Sequence, residues 1–207
     1  MSLTPVRCRR LAALACASVA IGVLALAGSA AATPAKPRES RTYIGTVPGT
    51  KAFAAIVVRR GVGVAYVCDG KKISVWLKGK FSHGKVHLAS KAGDTLDGTF
   101  GHATLDLKTR KKPLTVKTKF SPADDAAHLF LGKDTVDGKL WVGGWITLLD
   151  GRQRGSLKTA AGRIFGSPTK VTPTTTSVTV PGGGTLGVTD YTKDWEALPH
   201  AEGGAAS

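Results

Sequence analysis

The feature that most constrains this chain is a two-residue period of apolar side chains, interrupted at short intervals by glycine. Between Tyr43 and Phe165, alternating segments are separated by acid–glycine pairs such as Asp69-Gly70 and Asp137-Gly138. Side chains of a β-strand point to opposite faces in turn, and acid–glycine pairs supply the positive φ angles that tight hairpin turns need. The pattern predicts an all-β fold, built as a small antiparallel barrel or roll.

The predicted strands are short and closely spaced. Residues 53–58 are apolar on both faces, which predicts a central strand buried on both sides. The strand at 62–68 places Gly63, Ala65 and Val67 on one side, and this small side allows another layer to approach closely. Further strands are predicted at 73–78, 85–90, 94–100, 102–108, 114–120, 128–132, 139–149 and 154–159.

One short helix is predicted near residues 122–127. Ser121 precedes Pro122, and Asp124 lies in the first turn, which is the order of residues found at helix N-termini. Ala126 and Ala127 favour its extension by another turn.

The N-terminus predicts an export signal over residues 1–32. Arg7, Arg9 and Arg10 precede an apolar run, and small residues at 30–32 form a cleavage site. The alternative is a signal that is retained as an anchor, which would be the chain's only attachment to a membrane. We therefore predict a secreted or cell-envelope-associated protein.

The remaining organisation follows from changes in composition. Residues 33–42 are polar with two prolines and predict a disordered linker, and residues 43–166 form the predicted β domain. A segment rich in Thr, Pro and Gly occupies 167–191, where alternation at 177–180 and 185–188 allows a hairpin around the glycines at 182–184. Residues 192–207 predict a disordered tail.

Cysteine usage excludes a disulfide framework in the exported chain. Cys8 and Cys16 belong to the predicted signal, which leaves Cys68 alone. We interpret Cys68 as a buried residue of a hairpin, because free cysteine is often fully buried and no histidine lies close to it in the sequence. The alternative is a reactive thiol activated by a base that is distant along the chain.

No catalytic residue, metal site or cofactor is predicted. His83 and His87 are four residues apart, but a strand would separate them by about 13 Å, too far for two ligands of one zinc ion. Ser82 and Lys85 match an S-x-x-K motif, but Gly84 indicates a turn rather than the helix that this chemistry needs. Trp141 and Trp145 share one face of a strand, and we interpret them as core residues rather than as a carbohydrate-stacking shelf.

The basic residues are the most informative candidates for function. The chain has 29 Lys and Arg against 14 Asp and Glu, a formal net charge of +15. A candidate platform for an anionic partner comprises Lys108, Arg110, Lys111, Lys112, Lys117 and Lys119. The alternative is that these side chains solvate an exposed strand and protect its edge. Clusters rich in lysine favour salt-sensitive attraction over bidentate recognition.

Three stretches carry a resemblance to a known group of proteins. "AYVCDGKKISVWLKG", "DTLDGTFG" and "GWITLLDGRQRG" resemble segments of small exported β-rich proteins of high-GC Gram-positive (actinobacterial) bacteria. The resemblance covers roughly residues 43–165. It implies an exported β domain and assigns no activity or site residue.

These observations predict an exported, non-catalytic protein of the cell envelope or extracellular space that binds an anionic partner through a basic face. The expected partners are an anionic wall polymer, lipid head groups or an acidic protein, and not nucleic acid, because the chain is exported. Two alternatives stay open: a secreted hydrolase whose site forms only in the folded chain, and a secreted inhibitor or structural module.

Overall fold

The computed structural model describes residues 41–108, 112–123, 126–167 and 169–192. The predicted signal at 1–32 lies outside these residues, as do most of the predicted linker at 33–42 and nearly all of the predicted tail at 192–207. The first strand begins at Arg41, earlier than the predicted start of the β domain at Tyr43. Arg41 and Thr42 belong to the sheet because they pair with Val58 and Val57.

The described strands fall into three sheets. The first contains β1 (Arg41–Thr46), β2 (Phe53–Arg59), β3 (Val62–Cys68), β4 (Ser74–Ser82), β5 (Lys85–Ala89), β6 (Thr95–Thr99), β7 (His102–Leu107), β8 (Leu114–Thr118) and β9 (Ser121–Pro122). The second contains β10 (His128–Val136), β11 (Lys139–Thr147), β12 (Gln153–Thr159), β13 (Ile164–Gly166) and β16 (Thr189–Asp190). The third is a hairpin of β14 (Ser177–Thr179) and β15 (Thr185–Gly187). The predicted all-β antiparallel fold is therefore confirmed.

The first sheet is a curled half-barrel in which β1 to β8 follow one another in chain order and β9 lies beside β1. Positive φ angles at Arg60-Gly61 and His83-Gly84 form two-residue hairpin loops between consecutive strands. Residues 114–122 contribute strands to both ends of this sheet. Thr118 Oγ1 donates a hydrogen bond of 2.7 Å to the carbonyl oxygen of Thr46 in β1, which brings the two ends together.

The concave side of the curled sheet encloses the first hydrophobic core. Ile56, Leu77, Leu96 and Leu105 reach into it from four strands and are fully buried. A Cβ atom at Gly63 would lie 2.9 Å from Leu88 Cδ2. Leu88 can therefore pack against β3 because Gly63 has no side chain. Burial of these side chains is the main favourable term for the half-barrel.

The second sheet packs on the convex side of β1 to β3 and forms the second core. Val57 and Tyr66 of the first sheet belong to the same core as Leu129 and Ile146 of the second, and all four are buried. Strand β2 is therefore apolar on both faces because it lies between two cores, as the sequence predicted.

The hairpin of β14 and β15 covers the other face of the second sheet. Val178 and Leu186 pack with Phe130 and Trp145 in a third core. A Cβ atom at Gly132 would lie 2.7 Å from the carbonyl oxygen of Gly187, so β10 and the hairpin are in close backbone contact. The hairpin predicted for the Thr, Pro and Gly-rich segment is confirmed.

The predicted helix at 122–127 is wrong. Pro122 lies in β9 opposite Tyr43, and the Ala123 N–H donates to the carbonyl oxygen of Thr42 at 2.9 Å. Strand pairing with β1 therefore uses the residues that would have begun the helix. The N–H groups of Ala126 and Ala127 both donate to the Ala123 carbonyl oxygen, and 124–125 lie outside the described residues.

Candidate anion-binding face

Strands β4 to β8 present lysine side chains on their convex side, outside the area that the second sheet covers. Strand alternation places Leu77, Leu88 and Leu105 in the first core and turns the neighbouring residues outward. We call this surface the lysine face and define it by seven exposed residues, Lys78, Lys80, Lys85, Lys108, Lys112, Lys117 and Lys119.

Four of the six predicted platform residues lie on or beside this face. Lys117 points outward from β8, and Lys119 follows it after the strand ends. Lys108 and Lys112 are exposed on the connection between β7 and β8. Arg110 and Lys111 lie outside the described residues.

The strand register gives the spacing of lysines across the lysine face. One row runs from Lys80 through His87, Asp97 and Thr104 to Lys117, with each residue opposite the next on the neighbouring strand. Adjacent strands are about 4.8 Å apart, so the two lysines that end the row are about 19 Å apart along the sheet. The face is thus a broad convex surface.

Two carboxylates lie within the lysine face, and each has a local partner. Asp97 contacts the His87 ring nitrogen Nδ1 on the adjacent strand. Asp106 accepts a hydrogen bond of 3.2 Å from Thr115 Oγ1 and lies 3.8 Å from Lys108 Nζ. Asp97 and Asp106 are thus each in contact with a neighbouring side chain of the same surface, and seven lysines outnumber these two carboxylates on the face.

Four lysines, Lys71, Lys72, Lys78 and Lys80, are close together in the sequence, but only two of them lie on the lysine face. Lys71 and Lys72 do lie in the β3–β4 turn, but Lys78 and Lys80 lie along β4, about 13 Å or more beyond Ser74. Lys85 is also part of the face. Its position could have been predicted from the alternation of exposed and buried residues in "KVHLA", which turns Lys85 outward.

Cys68 lies in a buried polar network between the two large sheets. Tyr66 Oη is 3.0 Å from Ser74 Oγ and 2.8 Å from Ser156 Oγ, and Cys68 Sγ is 3.6 Å from the same Ser156 oxygen. Burial raises the pKa of the Cys68 thiol and raises the pKa of Tyr66 well above its ordinary value. The thiol is thus held in its protonated form, which is a poor nucleophile, and the prediction of a buried structural cysteine is confirmed.

The tryptophans of β11 are core residues, as predicted. Trp141 is 4% exposed and Trp145 is 0% exposed, and both contribute to the third core. Neither ring presents a surface on which a sugar could stack.

The candidate catalytic and metal motifs lie in a turn. His83 has a positive φ angle in the two-residue loop between β4 and β5, and Ser82 and Lys85 are the strand residues on either side of it. This geometry differs from the helical S-x-x-K arrangement. Within 41–108, 112–123, 126–167 and 169–192, no three His, Cys, Asp or Glu side chains group as metal ligands.

Comparison of the chain with protein-family models, curated proteins and solved structures finds no match. Among the described residues, no helix has the length and apolar character needed to cross a bilayer.

Proposed function

We propose that this chain is an exported, non-catalytic protein of the cell envelope or extracellular space, and that it binds an anionic partner through the lysine face. The observation that carries the proposal is that exposed lysines of β4, β5 and β8 lie on the same convex surface. Because their positions are fixed by strand register, their charges act together on a partner that spans several strands.

The shape of the face favours an extended partner. A convex surface about 19 Å across fits a polymer or a membrane surface that presents many phosphate or carboxylate groups. Lysine is a compact, hydrated charge on a flexible stem, so it suits attraction without a fixed geometry. An anionic wall polymer and lipid head groups both meet this description, and a strongly acidic protein surface does so as well.

The mode of binding is expected to be electrostatic adsorption. In the described part of the chain, Leu149 is the exposed large hydrophobic residue, at 59%, and it lies in the β11–β12 turn of the second sheet. The lysine face therefore has no apolar side chain to insert into a bilayer. Salt should weaken binding, because the screening length falls from about 10 Å at 0.1 M to about 3 Å at 1 M.

The test compares two charge-reversal variants that have the same net charge. The face variant carries K80E, K85E and K117E. The control variant carries K72E, K139E and K170E, three exposed lysines away from the lysine face. Binding is measured by co-sedimentation with vesicles containing phosphatidylglycerol and with a glycerol-phosphate polymer.

Each lysine near an anionic surface contributes about 1 kcal/mol, so the face variant should bind at least about 100-fold more weakly than the wild-type protein. The control variant should retain most of its affinity. Equal losses in the two variants would show that net charge alone drives binding and would overturn the proposal. Binding of the wild-type protein that is unaffected by salt would also overturn it.

A further inference from the structure

A second cationic site lies away from the lysine face, in a cleft at the β3–β4 turn. The β1–β2 turn, the β3–β4 turn and the edge formed by β12 and β13 border an open cleft with a volume of about 630 Å³. This size lies within the range of about 300–1,000 Å³ that is usual for small-molecule sites. The cleft is concave, whereas the lysine face is convex, so the two surfaces suit different ligands.

The cleft has an excess of positive charge. Lys51, Lys71 and Arg154 line it together with one carboxylate, Asp69. In the described part of the chain, none of the three cations forms an ion pair with a carboxylate. Their charges are therefore available to a ligand.

The carboxylate of Asp69 stabilises the conformation of the β3–β4 turn. Its Oδ1 atom accepts hydrogen bonds from the N–H groups of Lys71 at 2.8 Å, Lys72 at 2.7 Å and Ile73 at 2.8 Å. These three bonds hold the backbone in the conformation that places Lys71 at the cleft. Asp69 thus acts as a positioning residue and offsets only part of the positive charge.

Arg154 lies on the wall of the cleft that β12 forms, and its side chain is held in a defined position. Its Cζ atom lies 4.9 Å from the centroid of the buried Phe53 ring, and Nη1 donates a hydrogen bond of 3.0 Å to the carbonyl oxygen of Gln153. These contacts leave other N–H groups of the guanidinium free to donate. A fixed, planar guanidinium matches the two oxygens of a carboxylate or phosphate group, and little entropy is lost when the bonds form.

Glycines bring the walls of the cleft together. A Cβ atom at Gly166 would lie 2.4 Å from the carbonyl oxygen of Gly70, so the β12–β13 edge and the β3–β4 turn touch through backbone alone. A Cβ atom at Gly70 would lie 3.7 Å from Arg154 Cδ, which places the arginine stem directly beside the turn. This contact links Arg154 to the same turn that carries Lys71.

We propose that this cleft binds a small molecule that carries a carboxylate or phosphate group. Arg154 donates paired hydrogen bonds to the anionic group, and Lys51 and Lys71 add charge attraction from the two turns. This site is independent of the lysine face, because its residues lie on the β1–β2 turn, the β3–β4 turn and β12 rather than along the convex side of β4 to β8.

The test measures binding of small anions by calorimetry at constant ionic strength. The probes are glycerol 3-phosphate, glycerate and inorganic phosphate, with glycerol as the neutral control. Saturable binding of one or both organic anions, without binding of glycerol, is expected. Comparing glycerol 3-phosphate with glycerate identifies which anionic group the cleft prefers.

Four variants locate the site. Arg154→Lys keeps the charge but loses the paired donors, and it should weaken binding about tenfold, as expected for a lost hydrogen bond between charged groups. Lys51→Ala and Lys71→Ala should also weaken binding. Lys72→Ala is the matched control, because Lys72 is exposed beside Lys71 but does not line the cleft.

Two results would overturn the proposal. One is the absence of saturable binding for all three anions. The other is an equal loss of affinity in Lys72→Ala and Lys71→Ala, which would indicate diffuse attraction. The variant with K80E, K85E and K117E should bind the small anions normally, so failure of this site is distinguishable from failure of the lysine face.

Discussion

At the scale of single residues, the second sheet depends on glycines that lie against large aromatic rings. Trp145 in β11 is directly opposite Gly155 in β12. A Cβ atom at Gly155 would lie 2.0 Å from Trp145 Cδ1, and one at Gly144 would lie 2.5 Å from Tyr66 Cε1. The rings therefore occupy the space that side chains at these positions would fill, which is how an aromatic residue compensates a glycine on a neighbouring strand.

We predict that Gly155→Ala lowers the free energy of unfolding by about 1–3 kcal/mol, because the added methyl group forces Trp145 out of a close-packed position. Urea denaturation followed by tryptophan fluorescence measures the change. Gly187→Ala is the control, because it is also a strand glycine but a Cβ atom there meets nothing within 4 Å. Equal stabilities for the two variants would contradict this account of the packing.

Burial of individual residues could be predicted from the sequence, but their partners could not. The apolar neighbours of Trp145 indicate a core position, and the isolation of Cys68 indicates a buried thiol. The contact between Trp145 and Gly155 depends on the register of two strands, which nothing in either segment specifies alone. The same holds for the Tyr66–Ser156 hydrogen bond, which joins different sheets.

At the scale of elements, local turn chemistry predicts the hairpins well and fails where strands compete for the same residues. Asp137 and Gly138 both have positive φ angles and connect β10 to β11, as their residue types indicate. Asp97-Gly98, another acid–glycine pair, lies inside β6 opposite Ala103 and Thr104, where a strand is predicted at 94–100. The helix predicted at 122–127 is lost because pairing with β1 satisfies backbone hydrogen-bonding groups that a helix would have used.

The C-terminal segment is attached to the second sheet by one side chain in particular. Gln153 Nε2 donates to the carbonyl oxygen of Val171 at 2.7 Å, and the Val171 N–H donates to Gln153 Oε1 at 3.0 Å. Gln153 Nε2 also donates to Thr147 Oγ1 at 2.6 Å. Val171 is 1% exposed, so its backbone groups have little access to water as a substitute.

We predict that Gln153→Met loosens this attachment and lowers the free energy of unfolding by about 1–3 kcal/mol, because two buried backbone groups lose their partners. Hydrogen–deuterium exchange should increase in peptides that cover residues 169–192. Lys158→Met on the same strand is the control, and as a change at a partly exposed position it should alter stability by no more than about 0.5 kcal/mol. Unchanged exchange in Gln153→Met would show that the hairpin core alone holds the segment.

At the scale of the whole molecule, the fold separates two cationic surfaces that the sequence presents as one excess of charge. The lysine face requires five strands in register, and the cleft requires two sheets in contact. The clustered lysines at 108–119 could be identified from the sequence because they are neighbours in the chain. Arg154 could not be placed beside Lys71, because their proximity arises only when the second sheet packs on the first.

Buried groups in the layer between the two large sheets also determine how the free energy of unfolding changes at alkaline pH. Burial raises the pKa values of Tyr66 and Cys68, and it raises the pKa of Tyr191 to about 12. In the unfolded chain these groups titrate near their ordinary values, 9.0 for cysteine and 10.0 for tyrosine. Below about pH 9 both states are protonated. Above that, the unfolded state loses protons that the folded state retains, so stability falls as the pH rises.

We therefore predict that the free energy of unfolding decreases steadily between about pH 9 and about pH 12, by up to about 1.4 kcal/mol per pH unit for each group that titrates only on unfolding. Urea denaturation at a series of pH values measures the slope. Tyr66→Phe is the comparison, because it removes one of the three groups and leaves the lysines and arginines unchanged. Its slope above pH 10 should be shallower than that of the wild-type protein. An identical slope would show that Tyr66 ionises in the folded protein, and the two sheets would then not seal the layer between them from water.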